Sequence, residues 1–221
     1  MESVLAGSCE IEFGDTSLIL LPSRAVFWES ESTVFIADTH FGKAETFHHL
    51  NIPVPSQIDE DLMRLSKVLN ETQCEHLIVL GDLVHSRKGN TAQLKRSIAD
   101  WRAQHRDVTI QLVRGNHDKA SGEPCSTWAI ESVDAPCKMG ALHLTHHPDF
   151  KSQNWTLCGH LHPKFRITNA LEDIRCPAFL KRNQTLVLPA FAKFVDHGIV
   201  PSMPYDIFYA IADSEVIPIN V

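Results

Sequence analysis

Arg114-Gly115-Asn116-His117-Asp118 places an amide oxygen, an imidazole and a carboxylate side by side in the chain. The stretch follows Val108, Ile110 and Leu112, whose period-two alternation predicts a strand. The polar residues are therefore expected at the end of that strand, where loops on a rigid scaffold carry binding and catalytic side chains. The ordinary alternative is an Asx turn beside a solvated histidine.

Four further clusters repeat this design, each after an apolar run that predicts a strand. They are Ala37-Asp38-Thr39-His40, Gly81-Asp82-Leu83-Val84-His85, Thr145-His146-His147-Pro148 and Gly159-His160-Leu161-His162. Seven of the thirteen histidines lie in these five clusters. A lone histidine is more often a packed side chain than a ligand, but the repetition favours a shared site. Five polar strand ends that converge on one point are what a two-metal hydrolytic site requires.

Taken one at a time, the clusters are weaker evidence. Asp38 and His40 reach one metal only if the strand ends and the loop turns between them. Asp82 can be a turn cap, although a carboxylate at the buried end of a strand is costly unless it pairs or binds metal. An aspartate there could bridge two cations about 3.5 to 4 Å apart. Mixed imidazole and carboxylate donors favour Mn²⁺, Fe or Zn²⁺ over Ca²⁺.

Length and composition are typical of one globular domain. With 221 residues, 43% hydrophobic and 21% charged, the chain can form one well-packed core, so we expect a single domain over residues 1–221. No apolar run approaches the roughly 18 residues of a membrane-spanning helix. The start, Met1-Glu2-Ser3-Val4, lacks a basic region followed by an apolar one. We therefore expect a cytoplasmic protein with no membrane partner.

Cysteine content and net charge say less than length and composition about the class of protein. The six cysteines include no Cys-x-x-Cys pair, which favours reduced thiols in an intracellular protein. The net charge of −7 argues against a broadly basic nucleic-acid-binding surface. Two bound divalent cations would nevertheless add about +4 at the place where a phosphate docks.

The order of predicted elements favours an α/β fold. Residues 33–36, 76–80 and 108–112 predict strands, and periodic segments between them predict helices over about 56–70 and 91–105. Ser56 followed by Asp59 resembles a capping box at the start of the first helix. From residue 141 onward, closely spaced β-like runs predict a second, mixed or antiparallel sheet. We expect two sheets face to face with helices outside.

In order and separation, the five clusters resemble the five motifs of the calcineurin-like metallophosphoesterase superfamily. The resemblance implies a four-layer α/β/β/α sandwich with a dinuclear metal site in loops at one end of the sheets. It implies that one metal takes Asp38, His40 and His162, that the other takes Asn116, His146 and His160, and that Asp82 bridges them. His146 is chosen over His147 because it comes first after its strand.

The resemblance also implies roles in catalysis. His117 would be the catalytic histidine, oriented through its other ring nitrogen by Asp118, and would donate to a phosphate oxygen or to the leaving group. A metal-activated water would attack phosphorus in line. His85 is expected to support the metal ligands or contact substrate, and Arg114 is one of several basic residues that could contact a phosphate.

A narrower resemblance is to small bacterial phosphoesterases found with an ATP-dependent DNA ligase, an exonuclease and a helicase in DNA-repair clusters. It is carried by segments 38–47 (DTHFGKAETF), 51–55 (NIPVP) and 81–86 (GDLVHS), by Trp101-Arg102 and by the runs 176–179 (CPAF) and 188–191 (LPAF). It implies manganese-dependent phosphodiester cleavage, including endonuclease action on single-stranded DNA or RNA, and functional association with those partners.

The segment after residue 191 departs from that pattern. Glycine-rich sequence is expected there, and residues 192–198 instead read AKFVDHG, which puts substrate choice in question more than catalysis. One rival function is a phosphomonoesterase or nucleotide hydrolase on the same site. The other is a catalytically inactive scaffold of this fold that binds proteins. Intact metal-binding side chains argue against the scaffold.

Overall fold

The structure is a computed structural model that describes residues 5–168, 173–195 and 200–221. Its first sheet follows chain order. The strands are β1 (Cys9–Phe13), β2 (Thr16–Leu21), β3 (Ala25–Trp28), β4 (Thr33–Ile36), β5 (His76–Val79), β6 (Thr109–Val113) and β7 (Ile130–Val133). Strands β1 to β4 pair antiparallel, and β4 to β7 pair parallel. Because the carboxyl ends of parallel strands meet at one edge, the clusters after β4, β5 and β6 are brought together there.

Helices cover the outer face of this sheet. The α-helices of the described residues are α1 (Lys43–His48), α2 (Ile58–Thr72), α3 (Ala92–Gln104) and α4 (Asn116–Ser121). Leu62, Leu65 and Ile98 of α2 and α3 share a buried cluster with Val34 and Leu77 of the strands. These apolar residues recur at helical spacing, so each helix buries one stripe against the sheet.

The two predicted helices form close to their expected limits, but one expected cap does not. Thr91 caps α3 by accepting a hydrogen bond from the Leu94 N–H at 3.2 Å. The residue before α2 is Gln57, which makes no side-chain cap, and the Ser56 hydroxyl donates instead to Glu45 at 2.9 Å. The capping box expected at Ser56 is therefore wrong, because α2 begins at Ile58 and the N-cap position falls on Gln57.

The second sheet is mixed, as expected. Its strands are β8 (Cys137–Met139), β9 (Leu142–Leu144), β10 (Thr156–Cys158), β11 (Lys164–Thr168), β12 (Asp173–Arg182), β13 (Thr185–Val187), β14 (Ile207–Ala212) and β15 (Glu215–Asn220). The order is β15-β14-β12-β13-β10-β9-β8, with β11 pairing β12 beside this path. Strands β9, β10 and β13 run parallel, which aligns the ends that carry His146 and His160.

A second large buried cluster lies between the two sheets. Phe13 and Phe35 of the first sheet and Leu157 and Phe179 of the second belong to one cluster of buried side chains. Each fully buried side chain of this size contributes about 1.5 to 3 kcal/mol. The α/β fold with two facing mixed sheets is confirmed, and the interpretation as a single domain over 1–221 stays a prediction.

The outer face of the second sheet carries a smaller apolar cluster that includes Leu180 and Phe208. Phe150, Leu161 and Phe165 pack against it. Among the described residues, none of the helices is long and apolar enough to cross a membrane. The cytoplasmic location stays a prediction.

Candidate metal centre

Both sheets contribute strand ends to the candidate centre. The backbone N–H of Asp38 donates to Gly81 O at 3.1 Å, which joins the loops after β4 and β5. On the second sheet, the Gly159 N–H donates to His146 O at 3.1 Å. The sheets meet where the Phe191 N–H donates to Ala37 O at 2.7 Å. The seven residues predicted as metal ligands therefore lie around one point.

The first donor set consists of Asp38, His40 and His162. The Nε2 atom of His162 lies 3.3 Å from Asp38 Oδ1 and 3.3 Å from His40 Nε2. One ligand atom from each of the three residues lies within 4.8 Å of the others. Asp38 is fully buried, and its Oδ1 has no hydrogen-bond partner. An unpartnered buried carboxylate oxygen is costly, and a cation would satisfy it.

The second donor set consists of Asn116, His146 and His160. His146 Nε2 lies 3.1 Å from Asn116 Oδ1 and 3.2 Å from His160 Nδ1. His146 Nδ1 lies 2.9 Å from Leu80 O, and since a carbonyl only accepts, this nitrogen carries the proton. In the neutral ring Nε2 then offers its lone pair to the centre, which is how histidines that bind metal are usually oriented.

Asp82 lies between the two sets. Its Oδ2 is 3.4 Å from His146 Nε2 of the second set and 4.0 Å from His40 Nε2 of the first. Its Oδ1 accepts a hydrogen bond from the backbone N–H of His117 at 2.9 Å. One carboxylate oxygen thus faces both sets, which is the arrangement that a bridging ligand needs.

The backbone at the centre is strained. Asp38, His40, Asp82, His160 and His162 all adopt left-handed conformations, with φ of 55°, 44°, 55°, 73° and 48°. Non-glycine residues adopt this region at a cost, and such residues concentrate at functional sites. The conformations turn successive polar side chains of one loop toward the same point.

Two glycines make the close packing feasible. A Cβ at Gly81 would collide with the His146 ring, and a Cβ at Gly159 would lie 2.5 Å from Asp38 Oδ2. Gly81 also has a φ of 82°. In the sequence, both glycines are recognisable only as members of the polar clusters. The sequence does not show which side chains pack against a glycine, so it does not predict that these two must lack a Cβ.

The two buried carboxylates of the centre favour positive charge at His146. Burial lowers the pKa of His146, but the hydrogen bond with Asp82 and the charges of Asp38 and Asp82 outweigh it and raise the pKa to about 9. Burial raises the pKa of Asp82, but the hydrogen bond with His146, the charge of His146 and the backbone hydrogen bond from His117 together outweigh burial and lower the pKa to about 2. Burial lowers the pKa of His40 to about 2, so its imidazole is neutral, as a metal ligand must be.

His117 reaches the centre from its open side. Its side chain is 36% exposed, and its Nε2 lies 3.9 Å from Asp82 Oδ2. Its Nδ1 lies 2.7 Å from His85 O and therefore carries a proton. The expected contact with Asp118 is wrong, because the backbone carbonyl of His85 orients the His117 ring.

Asp118 instead joins two loops. Its Oδ2 accepts from the N–H groups of Asp82 at 2.7 Å and Gly115 at 2.8 Å, and its Oδ1 accepts from Leu83 at 2.9 Å. The residue is buried and is the third residue of the short helix α4. Asp118 is therefore a positioning residue for the loop that carries Asp82, rather than a group that contacts a substrate.

The two predicted supporting residues differ in placement. The ring of His85 stacks on His117 with 5.1 Å between centroids, and its Nδ1 lies 3.5 Å from His40 Nδ1. Arg114 lies at the rim, where it donates to Asp134 at 3.1 Å and to Glu123 at 2.9 Å. Both carboxylate side chains are exposed, and contact of Arg114 with a substrate phosphate stays a prediction.

The segment 192–198, expected to differ in its closing loop, is described only as far as Val195. The Ala192 N–H donates to Asp38 O at 3.3 Å, and the Phe194 ring lies 5.7 Å from Phe47. Residues 196–198, including His197, lie outside the described residues.

Comparison with known proteins shows the family to which this chain belongs. A family model described as calcineurin-like phosphoesterase matches residues 32–187, which include all seven predicted ligands. The chain belongs to the calcineurin-like phosphoesterase family. Membership shows a metal-dependent phosphoesterase, and the donor sets agree with the family's use of divalent metals.

Solved structures similar to this phosphoesterase include a nuclease. The crystal structure of Pseudomonas putida nuclease MPE superposes with a TM-score of 0.84 at 30% identity, covering 96% of this chain and 100% of that chain. YfcE, a phosphoesterase from E. coli, gives a TM-score of 0.41 at 15% identity over 85% of this chain and 97% of that chain. A comparison with curated proteins gave no match.

The residues of this phosphoesterase fit a divalent metal pair. The imidazole, carboxylate and amide donors, the unpartnered Asp38 oxygen and the field around His146 all favour cations at this point. The assignment of Asp38, His40, Asp82, Asn116, His146, His160 and His162 as ligands stays a prediction.

The choice between His146 and His147 can be tested directly. His147 is exposed, and its ring lies 4.2 Å from that of His160. We expect His146→Ala to weaken the affinity for the second metal by more than about 100-fold, since loss of an outer supporting group alone costs 10 to 100-fold. His147→Ala should change it much less. Metal titration of both purified variants measures this, and the reverse order would assign the ligand to His147.

Proposed function

We propose that this phosphoesterase is a dinuclear metal-dependent phosphodiesterase that cleaves nucleic acid. The observation that carries the proposal is the position of the Asp82 carboxylate between two donor sets. The ligand atoms of the first set lie within 4.8 Å of one another, and those of the second lie 3.1 and 3.2 Å from His146 Nε2. The similarity to the Pseudomonas putida nuclease, which spans 96% of this chain, supports a nucleic-acid substrate.

In this proposal the first set, Asp38, His40 and His162, holds one cation, and Asn116, His146 and His160 hold the other. Bound there, two divalent cations would supply an activated water for in-line attack on phosphorus and would neutralise charge on the phosphoryl oxygens. The chain's own contribution is to fix the donors. Leu80 O holds the His146 ring, and Asp118 holds the loop that presents Asp82.

His117 is the residue proposed to act on the substrate itself. Since Nδ1 donates to His85 O, the ring is fixed with Nε2 facing the centre. In the imidazolium form, which carries a proton on each nitrogen, Nε2 can donate its proton to a phosphoryl oxygen or to the leaving oxygen of the ester, which leaves the neutral ring with its proton on Nδ1. Stacking of His85 on the ring restricts its rotation, so the donor is aimed before substrate arrives.

The proposal also covers the metal, the nucleic-acid substrate and the partners. The mixed nitrogen and oxygen donors support Mn²⁺, with Fe or Zn²⁺ as alternatives. The resemblance of segment 38–47 to ligase-associated phosphoesterases supports single-stranded DNA or RNA as substrate, a role in DNA repair, and association with a DNA ligase, an exonuclease and a helicase.

The first test compares a diester with a monoester. With Mn²⁺, we expect faster hydrolysis of bis-p-nitrophenyl phosphate than of p-nitrophenyl phosphate, and no hydrolysis of either after metal removal by a chelator. Attack on phosphorus needs the cations, and the similarity to the Pseudomonas putida nuclease supports a diester as the preferred substrate. A preference for the monoester would favour the phosphatase, and inactivity with every metal would favour the scaffold.

A further inference from the structure

We propose that a basic cleft beside His162 binds the phosphates that flank the cleaved diester of a nucleic-acid strand. The basic cleft is lined by Arg24, Lys164, Arg175 and Lys193 next to His162. Its volume is about 180 Å³. The inference rests on the proposed phosphodiesterase function and adds where the rest of a polyanionic substrate lies.

The basic cleft is continuous with the centre. His162 belongs both to its wall and to the first donor set, where its Nε2 lies 3.3 Å from Asp38 Oδ1. Ala190 also lines the cleft, and the next residue, Phe191, donates its N–H to Ala37 O beside Asp38. A strand whose reacting phosphate lies at the centre therefore has a direct path along this wall.

No carboxylate lines the basic cleft among the described residues. The acidic partner of Lys193 lies outside it and is solvent-exposed. Lys193 pairs with Glu60 at 3.3 Å, with both side chains about half exposed (50% and 56%). Exposed ion pairs of this kind contribute little, about 0 to 1 kcal/mol, so a phosphate can replace the carboxylate at small cost.

Two arginines add fixed positive charge. Arg175 lies 3.6 Å from Asp173, but both oxygens of that carboxylate are already bound by Arg166 at 2.7 and 2.9 Å. Arg24 donates to Ala190 O at 3.3 Å and Ala192 O at 2.8 Å, which ties it to the cleft wall. Burial and then the nearby Arg64 lower the pKa of Arg24 to about 10, so it is still charged at neutral pH.

The opposite flank of the centre differs. The surface beside Asn116 and His146 includes Arg114, whose guanidinium is bound by Asp134 and Glu123. A carboxylate, Asp134, also lines that surface. In a chain of net charge −7, a cleft whose described lining residues include no carboxylate concentrates the attraction for phosphates on that flank. The strand is therefore expected to extend from the centre on the His162 side.

The test measures the salt dependence of binding with the metal-loaded full chain and a labelled phosphorothioate oligonucleotide, which keeps its charges but resists cleavage. We expect the double variant Lys164→Ala with Arg175→Ala to raise Kd several-fold at low salt. It should reduce the slope of log Kd against log salt by about 1.4, because each phosphate contact on a single strand contributes about 0.7. Fluorescence anisotropy gives both quantities.

The matched control removes two exposed lysines elsewhere on the second half of the chain, Lys138→Ala with Lys151→Ala, neither of which lines the basic cleft. This variant has the same net charge as the test variant and should keep the wild-type slope. If the test variant kept the wild-type slope, or if the control variant lost as much slope as the test variant, the proposal that the basic cleft binds flanking phosphates would be wrong. Absence of diester hydrolysis by the wild type would instead overturn the proposed function. The binding slopes would still show whether the basic cleft contacts phosphates.

Discussion

Replacement of His117 by alanine is expected to lower kcat for bis-p-nitrophenyl phosphate by about 10²- to 10⁴-fold, the range typical for loss of a general acid or base. Metal content should stay near the wild-type value. The contact that His117 makes with Asp82 Oδ1 comes from its backbone N–H, which alanine retains, and its ring belongs to neither proposed donor set. The variant therefore removes a proton donor while the cation-binding side chains stay in place.

Two measurements make this prediction specific. Metal per chain, determined by elemental analysis, separates a chemical role from a ligand role. His49→Ala is the matched control, because His49 is an exposed histidine just after α1 that contacts none of the described residues of the centre. If His117→Ala turned over at the wild-type rate, the assigned role would be wrong. If it lost a metal, His117 would belong among the ligands.

The candidate metal-binding residues could be predicted because polar residues follow an apolar strand five times in this sequence. No single cluster distinguishes a ligand from a capped turn, but the same polar ending after strands β4, β5, β6, β9 and β10 requires a common cause. The sheet topology supplies it, since parallel neighbours end at the same edge. Alternating strands and helices in the first half likewise predicted the parallel part of the first sheet correctly.

The contacts that the sequence did not predict join residues that are far apart in the chain. Asp118 was expected to orient its neighbour His117, yet its oxygens bind N–H groups from the loop after β5, some 35 residues earlier. Arg114 pairs with Glu123 and Asp134, nine and 20 residues further along the chain, and the sequence does not indicate these pairs. Residue spacing carries no information on such contacts, because they exist only after the loops have packed.

Short strands were also missed for a physical reason. Strand β7 (Ile130–Val133) includes Glu131 and Ser132, and β8 (Cys137–Met139) includes Lys138, so neither has an apolar run. Both form because a neighbouring strand offers backbone hydrogen bonds at the edge of an existing sheet. Edge strands of this kind are defined by their partner more than by their own residues.

Replacement of Asp82 by alanine or asparagine is expected to lose metal as well as activity. Asp82 Oδ2 faces ligands of both sets, so its charge should matter to both cations. Since loss of an outer supporting group already costs about 10 to 100-fold in metal affinity, loss of a shared ligand should cost more than about 100-fold. Asp82→Asn is the sharper variant, because its amide oxygen can still accept from the His117 N–H.

Loss of metal must be separated from loss of the fold, and a second buried carboxylate allows this. Asp206 is as buried as Asp82, but it binds Arg182 through two hydrogen bonds of 2.8 and 2.7 Å, away from the centre. Breaking such a pair costs about 3 to 5 kcal/mol. Asp206→Asn should therefore lower the Tm while keeping about two metals per chain, whereas Asp82→Asn should lose metal at temperatures where circular dichroism shows it folded. An Asp82→Asn protein that still bound two metals with wild-type affinity would remove the bridging carboxylate from the proposal, and with it the reason to treat the two donor sets as one centre.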